Sequence, residues 1–397
     1  MKIIMHIDVN NAFLSWMAVK LLKEGKYDIR NSYAVIGGDE SLRHGIVLAK
    51  SYPAKSMGIK TAQTLFEAKK LCPALRVYKP DYAFYKKMSN AMFKLIESYT
   101  PDIQKMSIDE CFLDYTPVKH LYGDEIEFAY KLKNEIYDKL GFTVNIGISY
   151  NKLCAKMASD FEKPNKVHTL FKEEIPLKMW PLQVDDLFGV GKRSAIKLHN
   201  LNIHTIYDLA HADANFLYKH FKNMGFEMVK WANGVYSDFV DSSTSELKGI
   251  GNETTLIKDI YDKRELEKYL LSLCENVCLR LRREEKYAYV VAVTIKDKYF
   301  KRKSHQKKLV NATNLTDEIY KSAVSILSEM DISDGVRLIG VRLDNLTSAS
   351  SYQVSFFEDL NTLDNNSNLD KTLDGLKEKY GTSVIKKASS LNVSSKY

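Results

Sequence analysis

The sequence predicts an α+β protein of several domains, and three observations predict it. The chain has 397 residues, enough for roughly two to four domains of about 100–200 residues each. Hydrophobic residues make up 45% and aromatic residues 11%, which supplies sizeable cores and excludes wholesale disorder. From residue 2 to 161, apolar runs of strand length alternate with helix-periodic stretches, in the order strand, helix, hairpin, helix, strand, helix.

The elements follow in order. Residues 2–8 form a short apolar run ended by Asp8, too short for a signal-peptide core and read as a buried strand. Asn11 to Glu24 is helix-like. Residues 31–80 mix the short apolar runs Ala34-Val35-Ile36 and Gly45-Ile46-Val47-Leu48-Ala49 with basic residues, and an insertion at 13–79 interrupts the sheet domain. Residues 82–98 place Phe84, Met88, Met92 and Leu95 at helical spacing. Ile103 to Asp114 reads as two short strands around Ser107-Ile108-Asp109-Glu110. Residues 125–140 are a second amphipathic helix. Phe142 to Ser149 alternates with period two, as a strand does. Asn151 to Phe161 is helical and is stopped by Lys163-Pro164.

Residues 171–235 read as short helices with a Gly189-Val190-Gly191 turn. The polar, serine-rich 236–246 reads as a linker. A second α+β unit covers 247–347, with Leu266, Leu270, Leu273, Val277 and Leu281 on one helix face and strands at Tyr287–Ile295 and Val336–Leu343. Residues 348–397 turn polar, and a loosely held tail is expected. Within it, Leu369, Leu373, Leu376 and Tyr380 have the spacing of a small amphipathic helix.

Charge and cysteine usage bound the function. The net charge is +8, with 58 Lys+Arg against 50 Asp+Glu, which suits a polyanionic partner. No stretch of roughly 18 apolar residues exists, so no membrane helix is expected. The five cysteines are scattered, which argues against a disulfide framework. Cys274 and Cys278 lack a second pair to close a zinc site. A soluble, cytoplasmic protein is expected.

The chemistry lies in the carboxylates. Asp8 ends an apolar strand, and Asp109-Glu110 sit between two others. If these strands are neighbours, three acids converge at one sheet edge and repel each other unless a cation neutralises them. Oxygen-only ligands suit Mg²⁺, and two such ions can clamp an in-line phosphoryl transfer. The plain alternative is a set of unrelated strand-end acids at the surface.

Three motifs carry a resemblance. Ser107-Ile108-Asp109-Glu110-Cys111-Phe112-Leu113-Asp114 resembles the S-I-D-E-x-[FY]-L-D signature of the Y family of translesion DNA polymerases. Asp8-Val9-Asn10-Asn11-Ala12-Phe13 resembles its N-terminal acidic motif, and Lys163-Pro164-Asn165 its phosphate-side turn. The likeness runs from residue 1 to about 347 and is nearest to the polymerase IV branch. It implies a right-hand-like polymerase: an α+β palm at 1–12 and 80–170, small fingers at 13–79, a helical thumb at 171–235, a linker at 236–246 and an α+β little finger at 247–347.

The resemblance also implies roles. Asp8, Asp109, Glu110 and the backbone of Val9 would hold two Mg²⁺ ions, with Mn²⁺ as a substitute. Phe13 would be the steric gate against the 2′-hydroxyl. Tyr52, Lys55 and Lys163 would meet the triphosphate. Lys55 stands where arginine is more common, which keeps the charge and loses bidentate geometry. Lys166 stands where glycine is frequent.

Gly189, Gly191 and Lys192 belong to a stretch resembling a helix-hairpin-helix, whose backbone N–H groups can approach a phosphate. Lys296 to Lys308 holds seven Lys/Arg and one Asp, a local net of +6. Lys301, Arg302, Lys303, Lys307 and Lys308 are therefore expected to track DNA phosphates, independently of base sequence. Gln353-Val354-Ser355-Phe356-Phe357 resembles a sliding-clamp-binding peptide, anchored by Gln353, Phe356 and Phe357.

The expected function is template-directed addition of deoxynucleotides to a primer 3′ end, at low fidelity, without proofreading, in damage tolerance. Expected partners are primer–template DNA, deoxynucleoside triphosphates and a sliding clamp, with the protein a monomer. Three alternatives stay open. They are the catalytic subunit of a polymerase V-like complex, a metal-dependent nuclease, and a non-catalytic DNA-binding scaffold recruited by a clamp.

Overall fold

A computed structural model describes residues 2–39, 43, 45–237, 239–243, 246–348, 360–381 and 384–385, with backbone alone for 360–366. The chain divides into two compact units, Met1–Gly38 with Gly45–Thr244, and Asp39–His44 with Ser245–Tyr397.

The strands of the first unit are β1 (Ile4–Val9), β2 (Ala34–Gly37), β3 (Val47–Lys50), β4 (Arg76–Tyr78), β5 (Ile103–Lys105), β6 (Glu110–Asp114), β7 (Val144–Ser149) and β8 (Val167–Thr169). Five of them form one sheet in the order β5-β6-β1-β7-β8. The period of two assigns the faces of β1. Met5, Ile7 and Val9 join the main core, with Cys111 and Leu113 of β6 and Ile146 and Ile148 of β7. That core also takes buried residues of the helices Ala12–Lys23, Tyr82–Glu97 and Glu125–Leu140. On Tyr82–Glu97 the buried stripe is Tyr85, Met88, Met92 and Ile96. The expected Phe84 and Leu95 only flank it.

The other sheet face is covered by the helix Lys152–Asp160. It lies so close to β7 that a Cβ on Gly147 would sit 2.1 Å from Ala155 O and 2.4 Å from Ser159 N. Ile4, Phe112 and Ala155 form a small cluster on this side, and Val240 packs against it. Asp241 N also donates to Gln104 Oε1 at 3.2 Å. Part of the stretch read as a linker is therefore held against the sheet.

A three-stranded sheet, β3-β2-β4, has its own small core of Val35, Val47, Ala54, Ile59, Leu65, Ala68, Cys72 and Leu75. Short helices follow from 175 to 232 around a core that includes Val184, Leu187, Val190, Leu198 and Met228.

The second unit contains β9 (Gly249–Ile260), β10 (Tyr287–Asp297), β11 (Arg302–Thr313) and β12 (Val336–Thr347) in one sheet, ordered β11-β10-β12-β9. All three pairings are antiparallel. The helices Lys263–Arg283 and Thr316–Glu329 bury Leu266, Leu270, Cys274, Val277, Cys278, Ile319, Ala323 and Ile326 against one face. All five cysteines are free and buried.

The polar tail differs from its expectation. Leu360–Tyr380 is one helix, longer than the expected 369–380 stretch, and ion pairs tie it to the helix Lys263–Arg283. Asp370, Asp374 and Lys377 lie on one helical stripe. Arg282 reaches Asp370 at 3.1 Å and Asp374 at 2.6 Å, and Lys377 reaches Glu275 at 3.3 Å. Gln353, Phe356 and Phe357 lie outside the described residues. Among the described residues no helix is long and apolar enough to cross a membrane.

Candidate active site and nucleic-acid interface

Register brings the acids together. β1 pairs antiparallel with β6, with Asp8 opposite Glu110, and Val9 N donates to Asp109 O at 3.0 Å. Asp8 and Glu110 share the sheet face of His6 and Phe112, the face covered by Lys152–Asp160. That helix supplies Lys156, whose Nζ lies 2.8 Å from Glu110 Oε2. The segment beyond it supplies Lys163, which pairs with Asp8 and, at 2.8 Å, with Asp160.

Two buried asparagines hold the Lys163 segment to the sheet. Asn10 Nδ2 donates to Asn145 Oδ1 at 3.1 Å. Asn145 Nδ2 donates to Ser159 O at 3.0 Å and Glu162 O at 2.7 Å. Asn165 N returns to Asn10 Oδ1 at 2.9 Å, and Lys166 N to Asn145 Oδ1 at 3.1 Å.

The three acids differ in their surroundings. Glu110 is pulled down to about 2 by contact with His6 and by Lys156, against the opposing effect of burial. His6 Nε2 lies 3.3 Å from Glu110 Oε2 without the alignment of a hydrogen bond. Burial also pulls His6 below its ordinary value, so the ring is neutral near pH 7. Lys156 is thus the partner that carries charge. Asp109 is pushed up, first by burial and then by Asp8 and Glu110, against the Ser107 hydroxyl that donates to it at 2.5 Å. Burial opposes the charge on Lys163, but Asp8 and Asp160 outweigh it and hold that lysine above its ordinary value.

This donor set fits a hard divalent cation. It offers carboxylate oxygens only, and Asp109 has no cationic partner among the described residues. A cation beside Asp109 would relieve both its burial and its repulsion. Among the described residues no three His, Cys, Asp or Glu side chains close around one point; lysines occupy the near positions at Asp8 and Glu110.

Asp109 opens onto a cavity of about 210 Å³, also lined by Val9, Phe13, Leu48, Lys50 and Thr61. The Phe13 ring is fixed by stacking on Tyr85 at 4.9 Å and 8°. Tyr52 lines a neighbouring cavity of about 500 Å³ with Asn10, Arg30 and Pro164. Lys55 is exposed and lines neither. Four residues of this region were not legible in the sequence: Asn10, Lys50, Asn145 and Lys156. Each acts through contacts beyond its own element; Asn10 lies within the Asp8–Phe13 motif, which does not mark its bonds to Asn145 and Asn165.

The stretches expected to meet phosphates are also formed. Gly189 has φ of +95°, and a Cβ there would meet the Trp231 ring at 2.6 Å, so both conformation and space require glycine. Gly191 caps the helix Lys192–His199 without a side-chain hydrogen bond. On β11 the period of two divides the basic residues. Lys303 and Lys307 turn towards the helix layer, to Asp331 at 3.2 Å and Glu329 at 2.6 Å. Arg302 and Lys308 lie on the opposite, open face of the sheet, and Arg302 meets Glu253 at 2.8 Å. Lys301 lies in the turn before β11, its N–H bonded to Asp297 Oδ1 at 2.9 Å.

Comparison with known proteins places this architecture. The impB/mucB/samB family matches residues 7–160, and its C-terminal domain matches residues 247–356. DNA polymerase IV of Clostridium acetobutylicum is 48% identical over 386 residues, covering 97% of each chain. DNA polymerase IV 1 of Bacillus subtilis is 32% identical over 394 residues, covering 98% of this chain and 93% of that one. Among solved structures, a Dbh–Dpo4–Dbh chimera of Y-family DNA polymerases matches with a TM-score of 0.77 at 25% identity, covering 87% of this chain and all (100%) of that one. A Dbh ternary complex matches with a TM-score of 0.60 at 26% identity, covering 86% of this chain and 98% of that one. The chain belongs to the impB/mucB/samB family, as a member of the Y-family DNA polymerases in the DNA polymerase IV branch.

Proposed function

We propose that this protein extends a DNA primer on a template, including across damaged positions, by transfer of a nucleotidyl group. The observation that carries the reading is the register that sets Asp8 opposite Glu110, with Asp109 beside them on the cavity that Phe13 also lines. Asp8, Asp109, Glu110 and the Val9 carbonyl would hold two Mg²⁺ ions, for which Mn²⁺ could substitute. Such ions, when bound, favour the ionised 3′-hydroxyl and neutralise charge at the phosphate.

The chain's own residues position the reactants. The primer 3′-oxygen attacks the α-phosphate, its proton leaves to water, and the bond to pyrophosphate breaks. Positioning and charge neutralisation supply most of the catalysis in such a transfer. Phe13, fixed by Tyr85, occupies the space that a 2′-hydroxyl would need. Tyr52, Lys55 and Lys163 meet the triphosphate, Lys163 exchanging Asp8 for phosphate oxygens.

The five-stranded sheet unit acts as palm, the small sheet as fingers and the helical segment as thumb. The second unit acts as little finger. Gly189, Gly191 and Lys192 hold one duplex backbone. Lys301, Arg302 and Lys308 hold another, while Lys303 and Lys307 would first leave their acidic partners. Gln353, Phe356 and Phe357 engage a sliding clamp. A monomer working in the cytoplasm, without proofreading, completes the proposal.

The test is extension of a labelled primer on intact and abasic templates, for the parent and for Phe13→Val. The parent is expected to extend both templates with deoxynucleotides only, and Phe13→Val to admit ribonucleotides. Shortening of the primer would instead identify a nuclease. Binding without chemistry would identify a scaffold.

A further inference from the structure

The fingers sheet places a lysine that the motifs do not mark inside the reaction cavity. Lys50 ends β3, at the edge of the β3-β2-β4 sheet. Lys50 lines the cavity of about 210 Å³ that Asp109, Val9 and Phe13 also line, and so does Thr61, the residue its ammonium meets. Lys55, the lysine of the same segment singled out by sequence, does not line it.

Two sets of bonds fix where the Lys50 ammonium stands. Ser51 is fully buried, accepts from Ala34 N at 3.2 Å and Ala54 N at 3.1 Å, and donates to Ser32 O at 2.6 Å. That locks the direction in which the chain leaves β3. Val47 exchanges backbone bonds with Gln63 and Ala62, each at 2.8 Å, which holds Thr61 beside the strand. Thr61 Oγ1 then accepts from Lys50 Nζ at 3.0 Å.

A hydroxyl is a neutral partner, so this bond orients the ammonium without neutralising it. Among the described residues no carboxylate pairs with Lys50 or with Lys55. Burial, and then the charge on Lys55, push Lys50 below its ordinary value. An anion beside Lys50 in the cavity would relieve both effects. A polyphosphate supplies several negative charges in a space where a DNA phosphodiester supplies one.

Building on the proposed polymerase function, we propose that Lys50 is a substrate-binding residue whose ammonium meets the phosphate tail of the incoming nucleoside triphosphate in the Asp109–Phe13 cavity. It would add a cation to a site where Lys55 lacks the two-pronged grip of an arginine. Thr61 would keep the ammonium aimed before the substrate arrives, which lowers the ordering cost of binding.

The test compares the full-length parent with Lys50→Ala and Lys50→Arg in single-nucleotide incorporation at fixed free Mg²⁺. Loss of one charge-assisted contact is expected to raise KM for all four deoxynucleotides about tenfold, with kcat changed far less. Lys50→Arg should recover most of that loss, and primer–template affinity should stay within about twofold of the parent. Inhibition by inorganic tripolyphosphate should weaken in Lys50→Ala by the same factor as KM rises.

An unchanged KM would overturn the inference. So would a raised KM with unaltered tripolyphosphate inhibition, which would move the contact to sugar or base. A fall in primer–template affinity would assign Lys50 to DNA instead and also overturn it. A parent unable to extend primers would overturn both this inference and the polymerase reading. A parent that extends primers, with Lys50 variants like it, would overturn this inference alone.

Discussion

Asp109 has burial and two neighbouring acids against its charge, and among the described residues the side chain that hydrogen-bonds to it is the neutral Ser107. A carboxyl group whose folded pKa is raised costs stability above that pKa, a cost relieved as pH falls through it. Asp109→Asn keeps the Ser107 bond and removes the charge. It is therefore expected to raise the melting temperature of the metal-free protein at pH 7 while abolishing primer extension. Mg²⁺ should raise the melting temperature of the parent by mass action, and raise that of Asp109→Asn less. Thermal melts with and without Mg²⁺ check both.

Glu110 has the opposite sign. Its folded pKa is lowered to about 2 from an ordinary 4.5. The stability this gives is fully present above pH 4.5 and is lost as pH falls from there through about 2. Lys156→Met removes the charged partner at 2.8 Å and is expected to cost about 1–2 kcal/mol near pH 7. The difference from the parent should shrink progressively below pH 4.5, as read by chemical denaturation across that range.

At the scale of elements, the site is held by two packing decisions. Antiparallel register sets Asp8 opposite Glu110, and a slip of one residue would turn both to the other face. The close seat of Lys152–Asp160 on β7 sets where Lys156 and Lys163 arrive. Gly147→Ala would drive a Cβ into backbone atoms 2.1 Å and 2.4 Å away, and backbone cannot step aside as a side-chain tip can. A loss of about 3 kcal/mol or more is expected, with weakened primer extension in whatever remains folded. An unfolding free energy within about 0.5 kcal/mol of the parent, from denaturant titration, would show that the helix is seated more loosely on β7.

The same scale shows what a sequence makes legible. Strands such as 142–149 and helices such as 125–140 follow from local periodicity, and the acidic motifs stand at strand ends that hydropathy marks. The pairing of β1 with β6 joins residues a hundred positions apart, which no local pattern encodes. The division of the basic run on β11 needed the sheet, because only the face of each residue decides whether Lys303 meets Asp331 or solvent. The helix Leu360–Tyr380 was legible in part, from the spacing of Leu369, Leu373, Leu376 and Tyr380, but its docking was not, because Asp370, Asp374 and Lys377 find their partners on a helix far away in sequence. Lys50, Asn10 and Asn145 matter through partners in distant segments, so their types alone gave no signal.

For the whole molecule, the two units divide the labour of the proposed reaction. The first holds the acids, the Phe13 wall and the glycine turn. The second holds a sheet with one covered and one open face, the open one carrying Arg302 and Lys308. The central claim is that Asp109 and Glu110 carry metal-dependent, template-directed nucleotidyl transfer. The most direct measurement is the rate of single-nucleotide extension of a labelled primer–template in Mg²⁺, for the parent and the Asp109→Ala, Glu110→Ala double variant, with folding of both verified by thermal melts. The account predicts addition of the templated nucleotide by the parent, dependent on Mg²⁺, and its loss in the folded double variant. Equal extension by both would contradict it.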